Sequence, residues 1–346
     1  MKKEEKIIVG ISVGDLNGIG PEIIIKTYED PRSLELSTPV IFASGKVMQF
    51  FKNHFNSKIN FFNIDSPEDV VHGKVNVVNV WREPVKIEFG KEDKKIGEYS
   101  IRSLEAATKA LKEDKIDVLV TAPINKHNIQ SDKFNFPGHT DYLAQALNGK
   151  SLMFMVCDGL RVGLLTDHVP LKDAADRINE ALIEEKLDTV ITSLKQDFGI
   201  RKPKIAVLGI NPHAGDSGVI GSEDDDVLRP TLAKIRDQGH LVYGPYSADS
   251  FFGSNTFKNF DAIIASYHDQ GLIPFKTISF GEGVNYTAGL SKVRTSPDHG
   301  TAYEIAGKGI ADETSFKRAI YTAIQIYKNR KEYKYFSRNP LKKVSK

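Results

Sequence analysis

The chain has 346 residues, 40% hydrophobic and 27% charged, which is the make-up of an ordinary globular protein with room for two domains or one large one. Lys and Arg total 47 against 45 Asp and Glu, so a formal charge of +2 gives no support for a nucleic-acid partner. One cysteine, Cys157, excludes an internal disulfide, and no run of eighteen apolar residues offers a membrane span.

The start, MKKEEKIIVGISVGD, has no long apolar segment before its first strand-like run, so no signal peptide is expected and the cytoplasm is the expected compartment. Strand-like runs then follow at 7–14, 40–45, 59–64, 74–80 and 117–123. Further runs lie at 151–158, 161–167, 204–210, 241–247 and 261–267. SLMFMVCDGLRVGLL reads as a hairpin or paired strands, with Cys157 as a core thiol. Between the strands, Tyr99–Glu113 and Ile178–Phe198 place apolar residues at helical spacing. Alternation of this kind predicts α/β layers around a mostly parallel sheet, covered on both faces where runs such as KIAVLGI are apolar throughout. The last nineteen residues are basic with aromatics interleaved and read as a solvated helix end and tail.

Polar loops follow the strands at Gly14, Thr121, Leu165, Ile210 and Tyr267, where α/β sheets bind ligands, and a shared cleft is expected of them. His168, His213 and His268 each stand just beyond a strand. Three imidazoles make a catalytic divalent site, with Asp167, Asp216 and Asp269 to orient the rings; the alternative is three separate loop histidines. The stretch Ser266–Gly300 reads as poor core material, rich in turn formers and in charges that must stay wet or paired. Its Lys276, Asn285 and Arg294 suit an anion, as do His139 and Thr140 at the start of an evident helix; capping and solvated charge is the alternative. The opening loop, VGDLNGIGPE, spaces its glycines as G-x-x-x-G-x-G rather than as a dinucleotide fingerprint. Asp15, Gly18 and Gly20 are its cofactor-facing candidates, and a plain tight turn is the alternative. Glu223–Asp226 reads as the acidic first turn of a helix.

At these motifs the chain resembles the 4-hydroxythreonine-4-phosphate dehydrogenase family of vitamin B6 biosynthesis. The likeness is carried by GDLNGIGPE, TAPINK (121–126), FPGHTDYLA (136–144), TDHVPL (166–171), GINPHAG (209–215), SYHDQGLIPFK (266–276), GVNYTAGL (283–290) and RTSPDHGTAYEIAG (294–307). One departure is Leu16-Asn17, where the family usually shows Pro-Ala. The resemblance implies a two-domain α/β/α fold like that of isocitrate and isopropylmalate dehydrogenases, with the active site in the interdomain cleft. The domains would cover 1–125 plus 280–346, and 126–279. It implies a homodimer with a shared site, His268 coming from the other subunit. It assigns His168, His213 and His268 to one divalent cation (Zn, Mg or Co) and His139, Thr140, Lys276, Asn285 and Arg294 to a phosphorylated substrate. Asp249 and Asp269, near the metal, join Lys276 as catalytic candidates. The implied reaction is oxidation of 4-(phosphooxy)-L-threonine by NAD or NADP. Its product, 2-amino-3-oxo-4-(phosphooxy)butanoate, decarboxylates to 3-amino-2-oxopropyl phosphate. Competing readings are a sibling dehydrogenase for 4-phospho-D-threonate or 4-phospho-D-erythronate, a metal-dependent phosphate-ester hydrolase, and a sensor of phosphorylated metabolites.

Overall fold

Runs of Val, Ile and Leu become strands, and amphipathic segments between them become covering helices. The computed structural model describes residues 6–131, 134–136 and 138–339. Its first elements are β1 (Ile7–Ser12), α1 (Gly20–Glu29), α2 (Ser33–Leu36), β2 (Ser37–Ala43), α3 (Gly45–His54), β3 (Phe61–Ile64) and β4 (Val75–Asn79). Next come α4 (Lys94–Lys112), β5 (Val118–Thr121), α5 (His139–Ala146), β6 (Leu152–Cys157), β7 (Leu160–Leu164), α6 (Leu171–Arg177), α7 (Glu180–Gln196) and β8 (Lys204–Leu208). The remainder is α8 (Arg229–Asp237), β9 (Leu241–Tyr246), α9 (Ala248–Gly253), β10 (Ala262–Ala265), α10 (His268–Ser279), β11 (Val284–Ala288), β12 (Val293–Pro297) and α11 (Thr314–Phe336). The protein is thus mixed α/β, and each of the ten expected strand runs overlaps an observed strand.

The chain divides into two units, residues 1–151 with 284–324, and residues 152–283 with 325–346. The resemblance places the corresponding boundaries near 125/126 and 279/280. Residues 139–147 go with the first unit because Leu143 and Leu147 pack among Leu111, Leu119 and Leu290. The end of α11 goes with the second, where Arg330 Nε lies 2.6 Å from the buried Asp197 carboxylate.

In the first unit the strands run in the order β3-β4-β2-β1-β5-β12-β11. All neighbouring pairs are parallel except β11 with β12. Val9, Ile11 and Val118–Val120 are fully buried, as strands covered on both faces require. The second unit has the order β6-β7-β10-β8-β9, with β6 antiparallel to β7 as the hairpin reading expects and the others parallel. Cys157, at the end of β6, is only partly buried rather than a core thiol.

Residues 266–300 are the main departure from expectation. They form helix α10 and strands β11 and β12. The helix was hidden by Gly271 and Pro274, both unfavourable inside helices. Gly271 is there for packing: a Cβ would meet Leu164 Cδ2 at 2.8 Å and Ala265 Cβ at 3.0 Å. Leu272 and Phe275 carry the buried face of α10 into the core with Val162 and Leu164 of β7.

Candidate functional site

Arg294 is the most unusual residue of the first unit. It sits on β12 and is 2% exposed, so it is neither wet nor ion-paired as the sequence leads one to expect of a charge in 266–300. Its Nε and Nη2 donate to Thr121 Oγ1 at 3.2 and 2.6 Å, and its Nη1 donates to Thr287 Oγ1 at 3.0 Å. Among the described residues no carboxylate pairs with it. Burial alone pushes its pKa down to about 9, which still leaves it charged at neutral pH. Removing a cation from water without a counter-ion is costly unless a ligand supplies the charge.

The sheet register explains the gathering. Arg294 pairs with Leu119 of β5, and Thr121 lies two residues on, hence on the same face. Asn285 of β11 pairs with Ser296, again on the face of Arg294. Asn285 Oδ1 is buried without a partner, and a half-turn of the amide would present Nδ2 to the same spot. His139 and Thr140 are the first two residues of α5, after Gly138 at the cap. His139 is partly buried as a residue, but its Nε2 is shielded and has no partner. Burial, reinforced by the positive charges of Arg294 and Lys126, holds its pKa well below the usual imidazole range. A neutral imidazole, an orphaned amide, a helix N-terminus and an unpaired guanidinium therefore share one neighbourhood, and together they can bind an anion. Lys126 is the member that sequence reasoning left out. It closes TAPINK, but nothing in that motif marks it as reaching His139.

The opening loop faces the protein's own interior. A Cβ on Gly18 would lie 2.9 Å from Thr301 O, and one on Gly20 would lie 2.6 Å from Val13 O. These glycines are thus accounted for by close backbone approach within the chain. Asp15 is 1% exposed and takes hydrogen bonds from Tyr303 Oη (2.8 Å), Asn128 Nδ2 (3.3 Å) and the Asn17 backbone (2.9 Å). Its burial raises its pKa in spite of those donors.

In the second unit the three histidines follow adjacent parallel strands, β7, β10 and β8. The loops after these strands are tied together. Leu165 N donates to Ala265 O at 2.9 Å, Thr166 Oγ1 to Ser266 O at 2.7 Å, and Gln270 Nε2 to Gly209 O at 2.7 Å. His168 and His268 of one chain are brought to 5.8 Å between ring centroids. His268 Nδ1 is 2.7 Å from Asp269 Oδ1, the contact that fixes a ring so that Nε2 can bind a metal. His213 lies near Asp249. The Asp249 pKa is lowered first by a 2.6 Å hydrogen bond from Ser247 and also by the nearby His213. Lys276 is exposed in the last turns of α10. Imidazoles flanked by carboxylates are suitable donors for a divalent cation. Among the described residues, however, no three His, Cys, Asp or Glu groups are gathered for one ion.

His213 lies in a left-handed turn. Residues 213–218 all have positive φ, including non-glycine residues His213 (54°), Ala214 (51°), Asp216 (44°) and Ser217 (56°). Such backbone costs roughly 1–2 kcal/mol per residue and needs surroundings that enforce it. Asp224 helps to do so. It is fully buried and accepts from the Ile210 and Asn211 backbone N–H groups at 2.8 and 2.9 Å. The acidic run 223–226 is therefore more than the first turn of a helix. Asp224 anchors the loop that leads into His213.

A mixed α/β protein with a buried anion-binding arginine in one unit and histidine loops beyond parallel strands in the other has the equipment of a metabolic enzyme for charged small molecules. Comparison narrows the class. The family described as "Pyridoxal phosphate biosynthetic protein PdxA" matches residues 35–323, and the chain belongs to it. It is similar to 4-hydroxythreonine-4-phosphate dehydrogenase of Bacteroides thetaiotaomicron, 48% identical over 343 residues, covering 99% of this chain and 94% of that protein. D-threonate 4-phosphate dehydrogenase of Cupriavidus necator is 35% identical, over 92% of this chain and 97% of that one. The crystal structure of 4-hydroxythreonine-4-phosphate dehydrogenase from Klebsiella pneumoniae superposes with a TM-score of 0.81 at 31% identity, covering 94% of this chain and 99% of that one. The protein is an oxidoreductase of the dehydrogenase kind.

Proposed function

We propose that this protein oxidises 4-(phosphooxy)-L-threonine with NAD or NADP, giving 2-amino-3-oxo-4-(phosphooxy)butanoate, which decarboxylates to 3-amino-2-oxopropyl phosphate. The observation that carries the proposal is Arg294, a buried cation whose hydrogen bonds among the described residues go to hydroxyls. A substrate phosphate would complete its charge and take the neutral His139, the α5 N-terminus with Thr140, and Asn285 as further donors. Lys276 is the remaining substrate cation and a candidate for proton transfer, with Asp249 and Asp269. Binding a phosphate remote from the reacting carbon supplies energy for orienting the hydroxyl that is oxidised. His168, His213 and His268 would hold a divalent cation, which when bound acts as a Lewis acid on the substrate oxygen. The family resemblance is what supports a homodimer with a shared site. Asp15, Gly18 and Gly20 remain the cofactor-side candidates, acting through the shape of their loop.

The relatives favour the threonine substrate, since the 48% identical protein bears that name and the threonate enzyme stands at 35%. The test is a nicotinamide-reduction assay with both phosphorylated substrates and a divalent metal. Turnover with 4-(phosphooxy)-L-threonine preferred is expected. Turnover of D-threonate 4-phosphate alone would assign the sibling activity, and phosphate release without nicotinamide reduction would assign a hydrolase.

A further inference from the structure

We infer that Thr121 and Thr287 form an uncharged clamp that positions Arg294 for its anion while leaving its charge unspent. The inference rests on the reading of Arg294 as an anion-binding residue and adds two positioning residues to it.

A guanidinium has five N–H groups and no acceptor. Three contacts are taken by the two hydroxyls, two at Thr121 and one at Thr287. One N–H on each terminal nitrogen is left, a pair that suits two oxygens of a phosphate or carboxylate. Both threonines are fully buried, so water does not compete for the contacts. Thr121 ends β5 and Thr287 lies in β11, the strands on either side of β12, which carries Arg294. The clamp is thus built on three neighbouring strands and cannot swing away with a loop.

The choice of acceptor decides the function. Most buried arginines are held by carboxylates, which fix the group but neutralise it. Asp197 does this to Arg330 in the same protein, at 2.6 Å. A hydroxyl accepts the same N–H bond and carries no charge, so the positive field at Arg294 remains for a ligand. Serine or threonine is needed at 121 and 287 for this reason, and either aspartate or valine would defeat it in a different way.

Binding of inorganic phosphate, followed by calorimetry and by the rise in unfolding midpoint, tests the clamp. Thr121→Val is expected to weaken phosphate binding about tenfold, and Thr287→Val somewhat less because it removes one contact rather than two. Thr121→Ser should restore binding to within about threefold of wild type, which a merely structural role for the side chain's methyl group would not allow. Thr121→Asp is expected to fold, since it gains an ion pair with Arg294, and to lose phosphate binding altogether. In the substrate assay the valine variants should show the loss for phosphorylated but not for unphosphorylated substrate. Thr121→Asp binding phosphate as wild type does, or Thr121→Ser failing as badly as Thr121→Val, would overturn the clamp. An Arg294→Ala variant that binds phosphate as wild type does would overturn the underlying reading instead, so the two failures are distinguishable.

Discussion

At the scale of single residues, the burial of polar groups adds to the site what residue type alone does not show. Among the described residues, His139 Nε2 and Asn285 Oδ1 are buried without a partner, and Arg294 is buried with hydroxyl acceptors and no carboxylate. Their residue types and motifs were legible in the sequence, but their burial was not. Arg294 lies in a stretch that reads as wet loop, and only the pairing of β12 between β5 and β11 shows why it is dry. His139 has a pH consequence. Its folded pKa is below its unfolded value of about 6.5, so between the two values the unfolded chain binds a proton that the folded chain refuses. Its contribution to stability is therefore full above that pH and falls as pH drops below it, by up to about 1.4 kcal/mol per unit. Urea unfolding at pH 7.5 and 5.5 should show a smaller acid-side loss for His139→Gln than for wild type. Equal losses in the two proteins would mean that His139 titrates freely when folded.

At the scale of elements, the helices and strands that carry the site are placed by small residues at points of close approach. Gly97 lies within α4, where glycine ordinarily costs about 1 kcal/mol relative to alanine. Propensity alone would make Gly97→Ala stabilising. A Cβ there would lie 2.1 Å from the backbone oxygen of Asn128, which the chain cannot move cheaply. That oxygen belongs to the loop following Thr121 and including Lys126. Gly97→Ala is expected to destabilise by about 1–3 kcal/mol and to reduce activity through that loop. A variant at least as stable as wild type in chemical denaturation would contradict this. The same logic explains which elements the sequence disclosed. Apolar runs such as KIAVLGI and Tyr99–Glu113 were readable because their period is their packing. Helix α10 was not, because Gly271 and Pro274 disguise it, and Gly271 is explained only by its neighbours Leu164 and Ala265. The anchoring of the His213 loop by Asp224 was likewise invisible, since it joins residues 13 and 14 positions apart through backbone N–H groups.

At the scale of the whole molecule, the family likeness spans nearly the entire chain and so covers both units. The histidines bear on assembly. His168 and His268 are neighbours within one chain, whereas the likeness suggests that one ligand crosses from a partner. Pairwise mixtures of His168→Ala, His213→Ala and His268→Ala subunits resolve this. Activity is expected to return in a mixture whose two lesions fall in the same site of the heterodimer and leave the other site intact, and in none of the single variants. Inactivity of all three mixtures, with subunit exchange verified, would contradict a shared site. The central claim, that a phosphate held by Arg294 directs a dehydrogenase reaction, is tested most directly by one ratio: kcat/KM for 4-(phosphooxy)-L-threonine over that for 4-hydroxy-L-threonine, read as nicotinamide reduction in wild type and Arg294→Ala. The ratio should be large in wild type and fall roughly 30- to 900-fold in the variant, equivalent to about 2–4 kcal/mol of lost charge-assisted binding. A ratio near one in wild type, or one unchanged by Arg294→Ala, would contradict it.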